Sequence, residues 1–428
     1  MDKEVKDSYE QTAKVEVRKF YVHIVVCLKW IGLALLEGVI LGLIATAFAY
    51  SLKYATGLRV AHPQLIAGLP FAGLLIVFLY NKFGSDVMKG TNSVLASINS
   101  DEKMHFVMMP LIFISSIISH LFGASVGREG AALQMGASMG HTFAKALKLN
   151  ENDQKIMIMT GMSAAFAALF GTPLAAAIFA MEVISVGVMY YAALVPCLVS
   201  ALTAYSLAKY LGVEYAQYKL TVIPEFTPYT IGMTALMGLL FAVVAILICV
   251  AFALSERGLG RKFQNPYIKI AVAGAAVALL SLIFRDGSYN GLGTDVIANA
   301  LAGKVVWYAF IMKLIFTSLS LSGGYRGGEI VPVLYIGATF GCLIGGLLGM
   351  PPAFCAALGM VAVFCGVTNS PISSILIGVE MFGGQGLWFF CLAIALSYML
   401  SGYFGIYKSQ LIIYSKYRSV YVHKMAKR

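Results

Sequence analysis

Two glutamates stand at matching places in otherwise apolar surroundings: Gly127-Arg128-Glu129-Gly130 opens one apolar run and Gly327-Gly328-Glu329 opens another. An intramembrane carboxylate is costly, so by default it serves a function. Each glycine-rich turn directly precedes a helix-length segment, which aims unpaired backbone N–H groups and the positive end of a helix dipole at one point. Such a point attracts an anion. The turns Gly90-Thr91-Asn92 and Asn369-Ser370-Pro371 have the same character. The candidate anion ligands are therefore Gly90, Thr91, Asn92, Gly127, Arg128, Gly130, Gly328, Ile330, Asn369 and Ser370. A glutamate beside such helix ends occupies the anion's place when ionised and leaves it when protonated, because the proton removes the charge that the dipoles attract. On this reading Glu129 is gate and proton carrier, and Glu329 assists proton transfer or anion recognition. A plainer role stays open for both, a carboxylate satisfied by backbone N–H groups or paired with Arg128 or Arg326. Glu182 and Glu380 read as interfacial carboxylates, and Glu37 and Asp86 rank below them.

The elements that position these residues are membrane helices. Of 428 residues, 59% are hydrophobic and only 12% charged, against about 25% charged in a soluble domain. That composition excludes an ordinary soluble enzyme. Continuous apolar windows long enough for a bilayer, about 20 residues, lie near 21–52, 230–254 and 386–405. The stretches 107–122, 131–147, 331–349, 353–366 and 371–382 are shorter and broken by Gly, Pro and acidic residues. Helices that stop inside a membrane are tolerated only around a buried or water-filled site.

The chain repeats itself. Glu129 and Glu329 are 200 residues apart, and the turns Gly171-Thr172-Pro173 and Asn369-Ser370-Pro371 have their prolines 198 apart. Glu182 and Glu380 are also 198 apart. Two halves with interrupted helices in corresponding places point to a transporter whose site lies between the repeats. The expected fold class is all-α integral membrane, an inverted-repeat fold with broken, tilted helices. The expected divisions are an N-terminal segment 1–20, a transport domain 21–407 with repeats of about 21–215 and 228–407, and a basic tail 408–428.

Other chemistries fare worse. The seven cysteines all sit in apolar runs without C-x-x-C spacing, so neither a disulfide framework nor a metal site is indicated. Of the net charge of +11 much gathers in the last 21 residues, with six Lys or Arg and no acid, while five basic residues among the first 20 are balanced by five acids. No aromatic-basic module accompanies it, which argues against nucleic acid, and the Lys and Arg near the membrane ends place both termini in the cytoplasm. The segment before Val22 is too charged for a signal peptide. Gly123-Ala124-Ser125-Val126-Gly127 matches the G-x-S-x-G nucleophile elbow, with His120 and His141 nearby. That motif needs a strand, a sharp turn and a helix in an α/β sheet, which the surroundings do not offer. The run 287–293 (GSYNGLG) has no βαβ context for a dinucleotide.

With these residues in hand, the chain resembles the CLC family of anion channels and proton-coupled anion antiporters over nearly its whole length. Residues 127–136 (GREGAALQMG) are similar to that family's gating-glutamate motif, and residues 327–341 (GGEIVPVLYIGATFG) to its second-half anion-site motif. Asn369-Ser370-Pro371 with residues 168–173 resembles its paired helix turns. The resemblance implies an inverted-repeat homodimer in the plasma (inner) membrane, one pore per subunit, no cofactor, no catalysis, and no CBS domains after residue 428. It also implies the gate role for Glu129. Four features resemble the fluoride-exporting branch rather than the chloride branch. They are Glu329 itself, Gly90-Thr91-Asn92-Ser93 in place of Gly-Ser-Gly-Ile-Pro, Leu411 where a central tyrosine is aligned, and Val183 where a second proton glutamate is aligned. The Thr91 hydroxyl is instead similar to the chloride branch. The implied function is fluoride export in exchange for protons, with a chloride/proton antiporter or passive anion channel of the same fold as the alternative.

Overall fold

The computed structural model describes residues 3–84, 90–99, 104–215, 218, 220, 222–285 and 287–427, with side chains from residue 18 onwards. Asp86 lies outside them. The first half holds α1 (Lys3–Ala61), α2 (Leu69–Phe83), α3 (Thr91–Asn99), α4 (Met108–Leu121), α5 (Glu129–Ala146), α6 (Glu151–Phe170), α7 (Pro173–Glu182) and α8 (Leu194–Tyr210). The second holds α9 (Pro228–Lys262), α10 (Pro266–Phe284), α11 (Thr294–Leu301), α12 (Ala309–Gly323), α13 (Ile330–Leu347), α14 (Pro352–Thr368), α15 (Pro371–Phe382) and α16 (Leu387–Leu400). Six helical segments among the described residues are long and apolar enough to cross a bilayer. The interrupted stretches of the sequence correspond to α4, α5 and α13 to α15; α5 opens at Glu129, α13 follows Glu329, and α14 and α15 open at prolines.

Local chemistry sets the breaks. Gly171 (φ 80°) ends α6 and Asn369 (φ 59°) ends α14 in the left-handed conformation, and two residues later Pro173 and Pro371 open α7 and α15. Glycine and asparagine tolerate that conformation, and proline at the first helical position gives up an N–H that would have no partner anyway. Elsewhere the Asn150 side chain accepts from the Asp153 N–H at 2.9 Å to start α6, and Asn265 accepts from the Tyr267 N–H at 2.9 Å to start α10.

Packing repeats along with sequence. α5 crosses α6 at Gly136 and Gly161, and α13 crosses α14 at Gly337 and Gly359; a Cβ on any of the four would overlap the facing carbonyl oxygen. Small residues let backbones approach where lipid offers no hydrophobic drive between helices. The later helices exchange caps. The Glu380 carboxylate accepts from the Leu174 and Ala175 N–H groups at 3.0 and 2.9 Å at the start of α7. Glu182 accepts from the Ile372 and Ser373 N–H groups at 3.0 and 2.9 Å at the start of α15, and from the Ser373 hydroxyl at 2.8 Å. These two glutamates, which the sequence suggests lie at an interface with water, instead bind the halves to each other. The reciprocity is what a twofold axis between the halves requires.

A further repeat landmark emerges from the fold. Gly90 (φ 63°) precedes Thr91 at the start of α3, and Gly293 (φ 71°) precedes Thr294 at the start of α11.

The wholly helical expectation needs one addition. Residues 408–427 do not trail freely: β1 (Ser185–Val186), β2 (Leu411–Tyr414) and β3 (Tyr421–Met425) form a small sheet, β1 parallel and β3 antiparallel to β2. Lys416, between β2 and β3, buries its ammonium over the Tyr398 ring at 4.2 Å. It donates to the Asn369 side-chain oxygen, to the Tyr398 carbonyl at 2.9 Å and to the Ser401 hydroxyl at 3.3 Å.

Burial lowers the Lys416 amine from its ordinary 10.5 to about 8. A depressed amine pKa means that the docked tail binds its proton less readily than a free tail, so docking is fully favoured above the free value and weakens as pH falls through about 8. Hydrogen exchange of the 411–425 peptides, corrected for intrinsic rates, should therefore slow between pH 7 and pH 9.5, and Lys416→Met should abolish that dependence.

Candidate functional site

The centre of the molecule is a backbone contact between the two glycine motifs. The Gly127 N–H donates to the Gly328 carbonyl at 2.5 Å and the Gly328 N–H donates to the Gly127 carbonyl at 2.7 Å, an isolated antiparallel bridge. Corresponding residues of the halves thus pair head to head. The contact needs glycine, since a Cβ on Gly130 would lie 2.8 Å from the Gly328 Cα and one on Gly328 would overlap the Gly130 nitrogen. The bridge sets the N-termini of α5 and α13 side by side, with first-turn N–H groups that have no intrahelical acceptor.

Each N-terminus carries its glutamate. Glu129, 1% exposed, folds back over the start of α5, where its carboxylate accepts from the Arg128 N–H at 3.2 Å and from the Arg128 Nε at 3.3 Å. Arg128 is itself held by the Leu169 carbonyl, at 3.1 Å from Nη2. Glu329, the residue before α13, is half-buried, and its Oε2 lies 3.2 Å from where a Gly130 Cβ would be, beside the start of α5.

The two carboxylates line different cavities. Glu329 lines one of about 260 Å³, together with Gly90, Thr91, Asn92, Gln134, Lys269 and Arg326. Glu129 and Arg128 line another of about 60 Å³, with Tyr215, Tyr218, Leu292 and Thr294. Pro266 and Lys269, on the larger cavity, stand at the start of α10; Leu292 and Thr294, on the smaller, follow its end. A 19-residue helix measures about 28 Å, so the cavities lie toward opposite ends of a membrane-spanning element, with the glycine bridge between.

Of the expected ligands, Gly90, Thr91 and Asn92 reach the larger cavity, Arg128 the smaller, and Gly127, Gly130, Gly328 and Ile330 form the junction. The Asn92 side-chain oxygen is taken by the Ser409 N–H at 3.2 Å. Asn369 and Ser370 are not brought to either cavity. The Asn369 amide donates to the Phe404 carbonyl at 3.1 Å and to Gln410 Oε1 at 2.8 Å, its oxygen faces Lys416, and the Ser370 hydroxyl donates to the Thr368 carbonyl at 3.2 Å. Both serve the junction of α14 and α15. Ser125 has no elbow: it follows α4 in an extended turn and its hydroxyl pairs with that of Thr317 at 3.0 Å.

Three further residues escape the sequence reading. Tyr407 is fully buried within electrostatic reach of Glu329, and its hydroxyl has no hydrogen-bond partner among the described residues. Leu411, which the resemblance aligns with a central tyrosine, lies in β2 opposite Met425. Lys313 is fully buried in α12, donating to the Gly291 and Tyr289 carbonyls at 2.7 and 3.2 Å, and Arg59 donates to the His120 carbonyl at 3.1 Å. A lysine in the apolar run of α12 is the signal that identifies such a residue.

The family model for voltage gated chloride channels matches residues 72–402, most of the chain. The chain belongs to the CLC family. It is 35% identical over 91% of its length, and 88% of the relative's, to a chloride/fluoride channel protein of Pseudomonas syringae pathovar tomato. The crystal structure of a CLC-type fluoride/proton antiporter superposes with a TM-score of 0.87 at 33% identity, covering 90% of this chain and 98% of that one. A slow cyanobacterial Cl⁻/H⁺ antiporter shares the fold, with a TM-score of 0.76 at 18% identity over 87% of this chain and 94% of that one.

The bridge gives a direct test of this CLC site. Gly328→Ala, whose methyl overlaps Gly130, should reduce anion efflux from liposomes at least tenfold. Gly346→Ala, where a Cβ meets nothing nearer than 3.9 Å, should leave it unchanged.

Proposed function

We propose that this protein exports fluoride from the cytoplasm in exchange for protons. The observation that carries the reading is the pair of carboxylates at adjoining helix N-termini, Glu129 on the smaller cavity and Glu329 on the larger. The 35% identical relative named a chloride/fluoride channel protein and the 33% identical fluoride/proton antiporter support it.

The larger cavity faces the cytoplasm in this reading. Arg257, Arg261 and Lys262 at the end of α9, Lys269 at the start of α10 and Lys408 surround that end of the molecule, and cationic flanks stay inside. Both termini are cytoplasmic, the protein resides in the plasma membrane, and two copies associate side by side in the bilayer.

Ionised Glu129 is the resident anion of the α5 N-terminus, held by the Arg128 N–H and guanidinium. Protonation removes the charge that those donors and the dipole attract, so the side chain withdraws and fluoride takes its place. Fluoride is small and strongly hydrated, and losing that water costs several kcal/mol unless fixed donors replace it. The first-turn N–H groups of α5 and α13 and the Thr91 hydroxyl supply such donors without reorganising. Glu329, beside Gly130, takes or gives the proton on the cytoplasmic side. When the anion has left, deprotonated Glu129 returns and closes the path, so each turnover moves the proton against the anion.

A second reading, chloride/proton exchange, is favoured by the Thr91 hydroxyl lining the larger cavity. One experiment separates them. In liposomes carrying equal fluoride or chloride gradients, the first reading expects proton uptake driven by fluoride and not by chloride. Glu129→Gln should abolish fluoride-driven uptake, and Glu329→Gln should reduce it at least tenfold. Equal uptake with chloride selects the second reading, and anion flux without protons overturns both.

A further inference from the structure

Gln134 sits one turn into α5, 4% exposed, on the wall of the larger cavity. Its Nε2 donates to the Gly130 carbonyl at 3.2 Å and to the Thr91 hydroxyl oxygen at 3.2 Å. The orientation of the amide is not free. Gly130 offers a carbonyl, which can only accept, so the amide nitrogen must face it; turning the amide over would set two carbonyl oxygens against each other. The same nitrogen therefore meets Thr91.

The consequence falls on Thr91. A hydroxyl that accepts from Gln134 has its proton left for another partner, and no acceptor among the described residues takes it. The Thr91 oxygen is held at the start of α3, 5% exposed, on the same cavity wall. Among the described residues its O–H is thus left for a partner in the cavity. A hydroxyl is otherwise indifferent, able to donate to an anion or accept from a cation or water. Gln134 fills one of the two acceptor lone pairs of the Thr91 hydroxyl and so biases it toward donating.

The second repeat places a residue in the same role by different means. Tyr335 stands as far into α13 as Gln134 stands into α5, and its ring packs where a Cβ on Gly293 would be, at the start of α11. In both halves this position braces the first turn of a short helix. In the first half it does so with a directed hydrogen bond.

We propose that Gln134 is a positioning residue for anion recognition: it fixes the Thr91 hydroxyl as a donor, so that the larger cavity selects a small monovalent anion as its ligand. The proposal rests on reading this cavity as the anion path. It makes Gln134 act through Thr91 and nowhere else in the transport cycle.

The test is a double-mutant cycle in liposomes, reading KM and maximal rate of anion efflux together. Gln134→Met keeps the length of the side chain and removes its donors. It should raise the fluoride KM about tenfold with the maximal rate within twofold, and add nothing in a Thr91→Val background. Gln134→Leu, which also lacks donors and adds no charge, should raise KM as far, and it serves in the cycle if Gln134→Met does not yield monodisperse protein. Equal effects of the Gln134 change in both backgrounds, or an unchanged KM in the wild-type background, overturn the proposal. Wild-type proton uptake is recorded in the same vesicles. If it is absent, the exchange reading fails by itself and the cycle is run on chloride efflux, where the same non-additivity is expected.

Discussion

The rest of this structure depends on the close approach of two positive helix ends in a medium that barely screens them. Each N-terminus carries about half a positive charge, and at about 5 Å in an effective dielectric of 20 two of them repel by about 1 kcal/mol. A single negative charge at the same distance from both gains about 3 kcal/mol. An anion in the junction of α5 and α13 is therefore favoured over none. Glu129 fills that need from within the chain, and in the proposed cycle a mobile anion fills it when Glu129 is protonated. Gating and binding are two outcomes of one electrostatic demand.

Bringing the ends together is a task for small residues. The reciprocal Gly127 and Gly328 hydrogen bonds satisfy backbone groups that a bilayer could not, and the Gly136–Gly161 and Gly337–Gly359 crossings let each half hold its N-terminus against the next helix. Glu182 and Glu380 solve the same problem one helix later, with carboxylates that cap a helix of the other half. The difference lies in the partners. Glu182 and Glu380 each reach across to the other half, whereas Glu129 folds over its own helix and needs only a side-chain rotation to leave.

Much of this was legible in the sequence because glycine, proline and intramembrane carboxylates have few uses. The 200 and 198 residue spacings located α5 to α7 and α13 to α15, and the glutamates at their starts proved to share one junction. Reading failed where the chain folds back on itself. Tyr407 lies in a segment with no helical period, and its approach to Glu329 depends on how the end of α16 turns. The β2–β3 hairpin looked like a basic tail because its pairing with β1 spans more than two hundred residues. Asn369 has the residue type of an anion ligand and the backbone angle of a helix stop, and only the fold decides between them. Gln134 carried no signal, since a glutamine acquires a role only from the carbonyl and hydroxyl on either side of it.

The two halves share a plan and differ where coupling requires it. Were Glu129 and Glu329 in identical surroundings, the twofold between the halves would make the two ends of the junction equivalent and neither side of the membrane would be distinguished from the other. Instead Glu129 is sealed and braced by Arg128 next to the small cavity, and Glu329 stands half-buried at the edge of the large one. Thr91 and Thr294 follow the same division, one on each cavity, and the Thr91 hydroxyl accepts from Gln134. Duplication supplied a junction that attracts an anion from either end. Unequal elaboration of the two ends turns that junction into a device with a direction.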